Sequence, residues 1–299
     1  MAAKKETEAD RSIVLRRLVD APRELVWDAW TDPKRLAQWF GPNGIRTTTR
    51  SMTVKPGGSW DFDMLAPDGK LYPNYHAYRE VVRPERLAMD VGSTPGGPVE
   101  FTSVVTFQDV GGRTLITMTS VFPTAAALKA VCERVNAVEG GRQTLARLAE
   151  HLGKTPVFQL EIERVVGAPP ARVWEAWTNP DQMAKWFAPK PFQLIVNKLD
   201  FRPGGRFEMA MRGPDGNDFP FSGVYRIIEA PSRLCWSGEF SEGPADQMTS
   251  LIVFEDLGEK TRVRALQTFH VMTETIRMAT GGAQQGWTMT LNQLEEFVK

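Results

Sequence analysis

The sequence predicts an α+β protein made of two tandem copies of one domain, each an antiparallel sheet with two short helices near its start and a long helix at its end. Three observations predict this. First, shifted by 147 residues the 299-residue chain matches itself: Trp27, Trp30, Thr31, Pro33, Trp39, Phe40 and Pro42 fall on Trp174, Trp177, Thr178, Pro180, Trp186, Phe187 and Pro189. The register holds without a gap from Arg17/Arg164 to Phe122/Phe269, with 35 identical pairs among the 112 positions from 11 to 122; unrelated chains would agree at about one position in fifteen. Second, a period of this length is that of a whole globular domain and not of a solenoid repeat. Third, short β-rich runs separated by turn signals fill the middle of each copy, and a helical period takes over at its end.

The elements of the first copy follow in order. Ile13 to Val19 is β-rich, and Asp20-Ala21-Pro22 breaks it to open a helix, Arg23 to Thr31, with Val26, Trp27 and Trp30 on one stripe. Asp32-Pro33 restarts the chain with a cap residue and a proline at the first helical position, and the helix Lys34 to Phe40 ends at Gly41-Pro42. Arg46 to Val54, Ser59 to Leu65, Tyr75 to Val82, Leu87 to Val91, Phe101 to Gln108 and Thr114 to Val121 read as strands of an antiparallel meander. The turns between them are Pro56-Gly57-Gly58, Pro67-Asp68-Gly69, Arg83-Pro84-Glu85 and Gly111-Gly112. After Phe122-Pro123, Val131, Val135, Val138, Leu145, Leu148 and Leu152 predict one long helix. In the second copy Trp287, Leu291, Leu294 and Val298 repeat it, with one residue of slippage, so that Leu145 matches Leu291. The expected organisation is a frayed tail over 1–10, a domain over 11–153, a linker over 154–156 and a second domain over 157–299.

Composition excludes several classes of function. Lys and Arg total 36, as do Asp and Glu, so the net charge is zero and no basic run offers the footprint of a nucleic-acid binder. No stretch approaches eighteen apolar residues and the first ten lack an apolar signal core, so the expectation is a cytoplasmic protein without membrane insertion. Cys132 and Cys235 stand at non-equivalent places, which argues against a disulfide framework or a zinc site and favours two small hydrophobes. Nothing in the sequence calls for a metal or a cofactor.

The run Trp27 to Pro33, Trp39-Phe40-Gly41-Pro42, Pro56-Gly57-Gly58-Ser59-Trp60, Pro67-Asp68-Gly69 and Pro84-Glu85-Arg86-Leu87 resemble the C-terminal domain family of the activator of Hsp90 ATPase. That family lies within the START-like (SRPBCC) superfamily. The second copy carries the signature as Trp174 to Pro180, Trp186 to Pro189, Pro203 to Phe207, Pro214 to Gly216 and Pro231 to Leu234. The resemblance implies a helix-grip fold, in which a curved sheet wraps the long helix and a cavity opens between them near the two short helices. It covers nearly the whole chain and is specific for fold more than for function.

Alternation sorts the residues that would line such a cavity. Trp60, Phe62 and Met64 alternate with Asp61 and Asp63, and Phe207, Met209 and Met211 flank Glu208, so one face of this strand is apolar. Most such side chains build a core, but under the resemblance they also wall a cavity, together with Tyr78, Tyr225, Trp236 and Trp287, and with Trp39 and Trp186 as caps at its mouth. Groups that could do chemistry are sparse. His151 reads as a solvated residue of the last helical turn. His76 lies two residues before Tyr78 on one strand and could act with it as base and acid, whereas the second copy has Gly223 in its place. The closing helix offers Gly140-Gly141 in the first copy against Gly286-Trp287 in the second, a loss of volume that leaves a wider cavity unless a neighbour fills it. Glu139, Arg142, Gln143, Gln284 and Gln285 are polar candidates on the same helices.

Three readings of function follow. The favoured one is a binding module for a hydrophobic or amphipathic small molecule. The second, implied by the resemblance, is action on an Hsp90-type chaperone as partner, although here a second copy replaces the different N-terminal domain of the founding activators. The third is a polyketide aromatase or cyclase, for which His76 and Tyr78 would be the catalytic pair.

Overall fold

The computed structural model describes residues 6–153, 158–240, 247–270 and 274–299. The chain divides into two compact units, Met1–Thr155 and Pro156–Lys299. The expected linker at 154–156 lies outside the described residues.

The first unit runs β1 (Ser12–Val19), α1 (Arg23–Thr31), α2 (Pro33–Trp39), β2 (Arg46–Met52), β3 (Ser59–Leu65), β4 (Leu71–Val82), β5 (Arg86–Gly92), β6 (Phe101–Val110), β7 (Arg113–Val121), α3 (Ala125–Val135) and α4 (Ala137–His151). The second runs β8 (Phe158–Val166), α5 (Pro170–Thr178), α6 (Pro180–Met183), β9 (Gln193–Leu199), β10 (Arg206–Arg212), β11 (Asp218–Glu229), β12 (Arg233–Phe240), β13 (Met248–Asp256), β14 (Thr261–Phe269) and α7 (Glu274–Val298). Each unit holds one seven-stranded antiparallel sheet, ordered β1-β7-β6-β5-β4-β3-β2 and β8-β14-β13-β12-β11-β10-β9. Six strands form the expected meander and the first strand closes it beside the last. This is the α+β, helix-grip arrangement, twice.

Local chemistry explains the elements. Asp32 accepts a hydrogen bond from Lys34 N at 2.8 Å, and Asn179 accepts from Asp181 N and Gln182 N at 3.0 and 3.2 Å, so each second short helix begins on a capped Asx-Pro step. Gly57 and Gly204 take φ of 76° and 79°, the left-handed turn that leads into β3 and β10. β4 starts at Leu71, four residues earlier than the alternation suggests. Its first stretch pairs with β3 alone, because β5 joins only at Tyr75, and an edge of that kind tolerates Pro73, which has no N–H to donate.

The aromatic rings knit the short helices to the sheet. Trp30 and Trp39 lie 4.9 Å apart, as do Trp177 and Trp186. Trp27 and Trp30 meet Phe107 edge-on, and Trp174 and Trp177 meet Phe254 in the same way. Both cores also take Leu148 or Leu294 from the closing helix and Val19 or Val166 from the first strand, all fully buried.

Two expectations about the first copy are corrected. Its closing segment is not one long helix: Asn136, at φ 47° and ψ 54°, ends α3 and starts α4. A residue in the left-handed region cannot continue a right-handed helix. From Phe122 to Leu145 this copy is one residue longer than from Phe269 to Leu291 in the other, where α7 runs unbroken for 25 residues. The tail is also not wholly frayed, since Ala9–Arg11 form a 3₁₀ turn and the Glu6 carboxylate accepts from Ala125 N at 2.6 Å.

Candidate functional site

In the second unit a cavity of about 250 Å³ lies between the sheet and α7. Its walls are Met211 of β10, Phe219 and Phe221 of β11, Trp236 and Phe240 of β12, Met248 and Ser250 of β13, and Gln267 and Phe269 of β14. Gly282, Ala283, Gly286, Trp287 and Thr290 of α7 close one side, and Phe187 and Pro189 of the loop after α6 close another. Phe219, 55 % exposed, stands at the rim. None of these lining residues is ionisable. A second space of about 20 Å³, room for roughly one water, lies among Trp177, Phe207, Met209, Tyr225 and Leu234 and shares Phe187, Phe221 and Trp236 with the larger cavity as walls. Trp177 Nε1 is buried there without a hydrogen-bond partner, and burial holds the Tyr225 phenol well above its usual range.

Sequence-level alternation explains the apolar lining and singles out its polar spot. On β14, Val263, Ala265, Gln267 and Phe269 share one face; on β13, Met248, Ser250, Ile252 and Phe254 do. Ser250 and Gln267 are direct cross-strand partners, so the two polar side chains stand together on an otherwise apolar surface. Trp287 Nε1 donates to Gln267 Oε1 at 2.9 Å and so ties α7 to β14 over the cavity. The Phe187–Pro189 wall is fixed from the same helix: Gln293 Nε2 donates to Trp186 O and Ala188 O at 2.8 Å each, its Oε1 accepts from Lys190 N at 2.9 Å, and Thr290 Oγ1 donates to Phe187 O at 3.1 Å.

The residues expected at a cavity divide into groups. Met211, Trp236 and Trp287 line the larger space, and Phe207, Met209, Tyr225 and again Trp236 line the smaller. Trp186 lines neither space: it is 1 % exposed, and its indole donates to Ala176 O at 3.0 Å. Trp39 is the same fixture in the first unit, 1 % exposed and donating to Ala29 O at 3.1 Å. Each indole is tied to the first short helix of its unit, α1 or α5. Gln284 and Gln285 point to solvent, while Gln143 accepts from Asn43 N at 3.1 Å. The sequence reading left out Gln267 and Ser250; the signal was their place in the period-2 pattern of two apolar strand faces.

The first unit fills the equivalent region differently. Trp60 and Phe62 stack at 3.7 Å, with Phe40 edge-on to both, and Met64 packs beside them. Where the second unit has Trp287, Gly141 lets α4 settle on β1: a Cβ on Gly141 would overlap Leu15 Cδ1 and touch Met118 Cε at 3.5 Å. The residues equivalent to Leu15 and Met118 are Ile162 and Ala265, so a large strand residue beside a helix glycine is exchanged for a small one beside a tryptophan. Met118, larger than Ala265, thus takes up part of the volume that Trp287 fills in the second unit. The helix also approaches the loop more closely here, at 3.2 Å from a Gly140 Cβ to Pro42 Cγ against 3.9 Å from Gly286 to Pro189. Arg147, at the place of Gln293, donates to the carbonyls of Gly41, Pro42, Ile45 and Gln38 at 2.8 to 3.3 Å.

His76 faces inward from β4 opposite Trp60, with Phe62, Trp60 and Phe40 around its ring at 5.0, 5.4 and 6.2 Å. Burial in this apolar surrounding pushes its pKa down to about 4, and burial raises that of Tyr78. At neutral pH His76 is therefore an uncharged and weak base. Gly223 stands in its place because Phe207 lies across the strand there: a Cβ would meet Phe207 Cζ at 2.5 Å and overlap Ser237 O. His151 is half-buried, not fully solvated, and burial together with Arg35 lowers its pKa.

Comparison with known proteins places this architecture. No curated protein matches the chain. Among solved structures, one of a protein from Nitrosomonas europaea is 29 % identical, covering 49 % of this chain and 97 % of its own, with a TM-score of 0.45. One from Mycobacterium smegmatis is 25 % identical over 50 % of this chain and 95 % of its own, with a TM-score of 0.45. The di-domain ARO/CYC BexL from the BE-7585A biosynthetic pathway spans both units, covering 97 % of each chain at 15 % identity and a TM-score of 0.37. Among the described residues no helix is long and apolar enough to cross a membrane. The family described as Activator of Hsp90 ATPase homolog 1-like protein matches residues 20–153 and again residues 167–299. With its Trp-Phe loops, glycine turns and closing helices accounted for twice over, this chain belongs to that family as a tandem pair of its domains.

Proposed function

We propose that the second unit binds a small apolar or amphipathic molecule between its sheet and α7, and that the first unit is the more tightly packed of the two. The observation that carries this is the cavity of about 250 Å³ with aromatic and methionine walls and, among the described residues, no ionisable lining. An apolar cavity of about 150 Å³ admits benzene, so this one suits a molecule of one or two fused rings. Methionines Met211 and Met248 adapt to ligand shape, and the exposed ring of Phe219 provides an apolar threshold.

Native mass spectrometry of protein purified from its own host should reveal a co-purifying small molecule, and the emptied protein should take up a two-ring probe such as 2-acetylnaphthalene. Ala283→Trp, which would place a ring inside the cavity from α7, should block that uptake. Bare protein with no uptake, or uptake unaffected by the cavity-filling variant, sinks the reading. The chaperone partner implied by the family's name is tested separately, by adding the pure protein to an Hsp90-type ATPase and measuring hydrolysis.

A further inference from the structure

We infer that the ligand of the second unit is a neutral molecule whose one polar contact is a carbonyl oxygen, received by Gln267 and Ser250; this rests on the binding function proposed above. The argument begins with the Gln267 amide. Trp287 Nε1 can only donate, so the amide end 2.9 Å from it must be the oxygen, and this fixes the NH₂ group on the other side. There Gln267 Nε2 has Ser250 Oγ at 3.4 Å, at the long end for an oxygen acceptor, and the Met248 thioether, an intrinsically weak acceptor, at 3.5 Å. Ser250 is fully buried and its hydroxyl receives only that long contact, which leaves its own proton to give.

Thr290, the remaining polar side chain of the lining, already donates to Phe187 O. The cavity therefore presents a ligand with two adjacent donors at one spot, the Gln267 amide and the Ser250 hydroxyl. A polar group left unpaired in such surroundings is unfavourable, and an sp² oxygen with two lone pairs answers both donors at once. An ionised carboxylate is a poor fit, because among the described residues no cationic side chain lines the cavity to replace its lost hydration. A flat ketone, lactone or quinone matches.

Equilibrium dialysis of the full-length protein against 2-acetylnaphthalene, 2-ethylnaphthalene and 2-naphthoate tests this. The ketone should bind about tenfold more tightly than the ethyl compound, as one buried hydrogen-bond site warrants, and the naphthoate anion weakest. In Gln267→Met and in Ser250→Ala, which keeps the Trp287 link, the ketone-to-ethyl ratio should fall partway, and in the double variant it should fall to about one. Because the ratio is taken within each variant, a general loss of stability cancels. Equal binding of ketone and ethyl compounds, or a preference that survives in full in the double variant, overturns this inference and leaves the binding function standing. Binding of none of the three overturns both.

Discussion

Arg147 and Gln293 stand at equivalent positions on the closing helices and hold the same loop, the one that follows each Trp-Phe pair. Arg147 gathers four backbone carbonyls, whereas Gln293 takes two and returns one acceptance to Lys190 N. Pro42 O also accepts from Ile45 N at 3.1 Å, and the side chains satisfy the further backbone groups of the loop beneath the helix. Gln293→Ala should therefore cost about 1–3 kcal/mol and free the Phe187–Pro189 wall. Amide exchange at 186–190 should accelerate while the strands stay protected. Arg147→Gln should keep more stability than Arg147→Ala; equal losses would show that the guanidinium acts by charge and not by bonding the loop.

Gly141 and Leu15 form the complementary device in the first unit. Gly141→Ala gains about 1 kcal/mol of helix propensity, but its Cβ would overlap Leu15 Cδ1 inside the core, so the net effect should be a loss of about 1–2 kcal/mol. Leu15→Ala makes room for that methyl. The double variant should be less destabilised than the sum of the singles, and strict additivity in denaturant titrations would refute the contact.

Gly223→His would give the second unit the residue found at 76 in the first. It should lower stability by about 3 kcal/mol, because one of the clashing atoms, Ser237 O, belongs to the backbone and cannot rotate away, and the other is the Phe207 ring. A calorimetric scan that finds the variant as stable as the parent would show that Phe207 moves freely.

His76 predicts a pH effect with a definite sign. Its folded pKa is pushed down to about 4 from an unfolded value of about 6.5, so the unfolded chain binds the extra proton first. Stability should be unaffected above pH ~6.5, fall progressively as pH drops from ~6.5 toward ~4, and level off below, a loss on the order of 3 kcal/mol. His76→Gln should remove this part of the acid sensitivity. If urea midpoints of parent and variant decline in parallel from pH 7 to pH 4.5, the ring is not held neutral by its aromatic surroundings.

The fold was readable because its signals are local. Pro56-Gly57-Gly58 and Pro203-Gly204-Gly205 announce left-handed turns, Asp32-Pro33 and Asn179-Pro180 announce capped helices, and the repeat doubles each signal. The break at Asn136 was not readable, since Val131, Val135 and Val138 keep a helical spacing across it and a single φ reversal leaves no mark in composition. At the site, Met211, Trp236 and Trp287 were legible from alternation and from the repeat difference. Trp39 and Trp186 read as capping rings because a large apolar residue beside a cavity looks the same in sequence whichever way its indole turns. The deciding bonds, to Ala29 O and Ala176 O, are tertiary. Gln267 and Ser250 needed the register between β13 and β14, which no single strand reveals.

The carboxylate of Glu6 bears on how the protein is handled. α3 contributes no buried residue; it is held at its start by Glu6 on Ala125 N and by the Thr124 hydroxyl on Ala127 N. Helix starts without such acceptors lose about 1 kcal/mol. A gene trimmed at residue 11, as the charged and Ala-rich opening invites, would remove the Glu6 acceptor together with the turn at Ala9–Arg11 that packs against α3. Protease nicking should then begin between Ala125 and Asn136, so the opening residues guard a helix far along the chain.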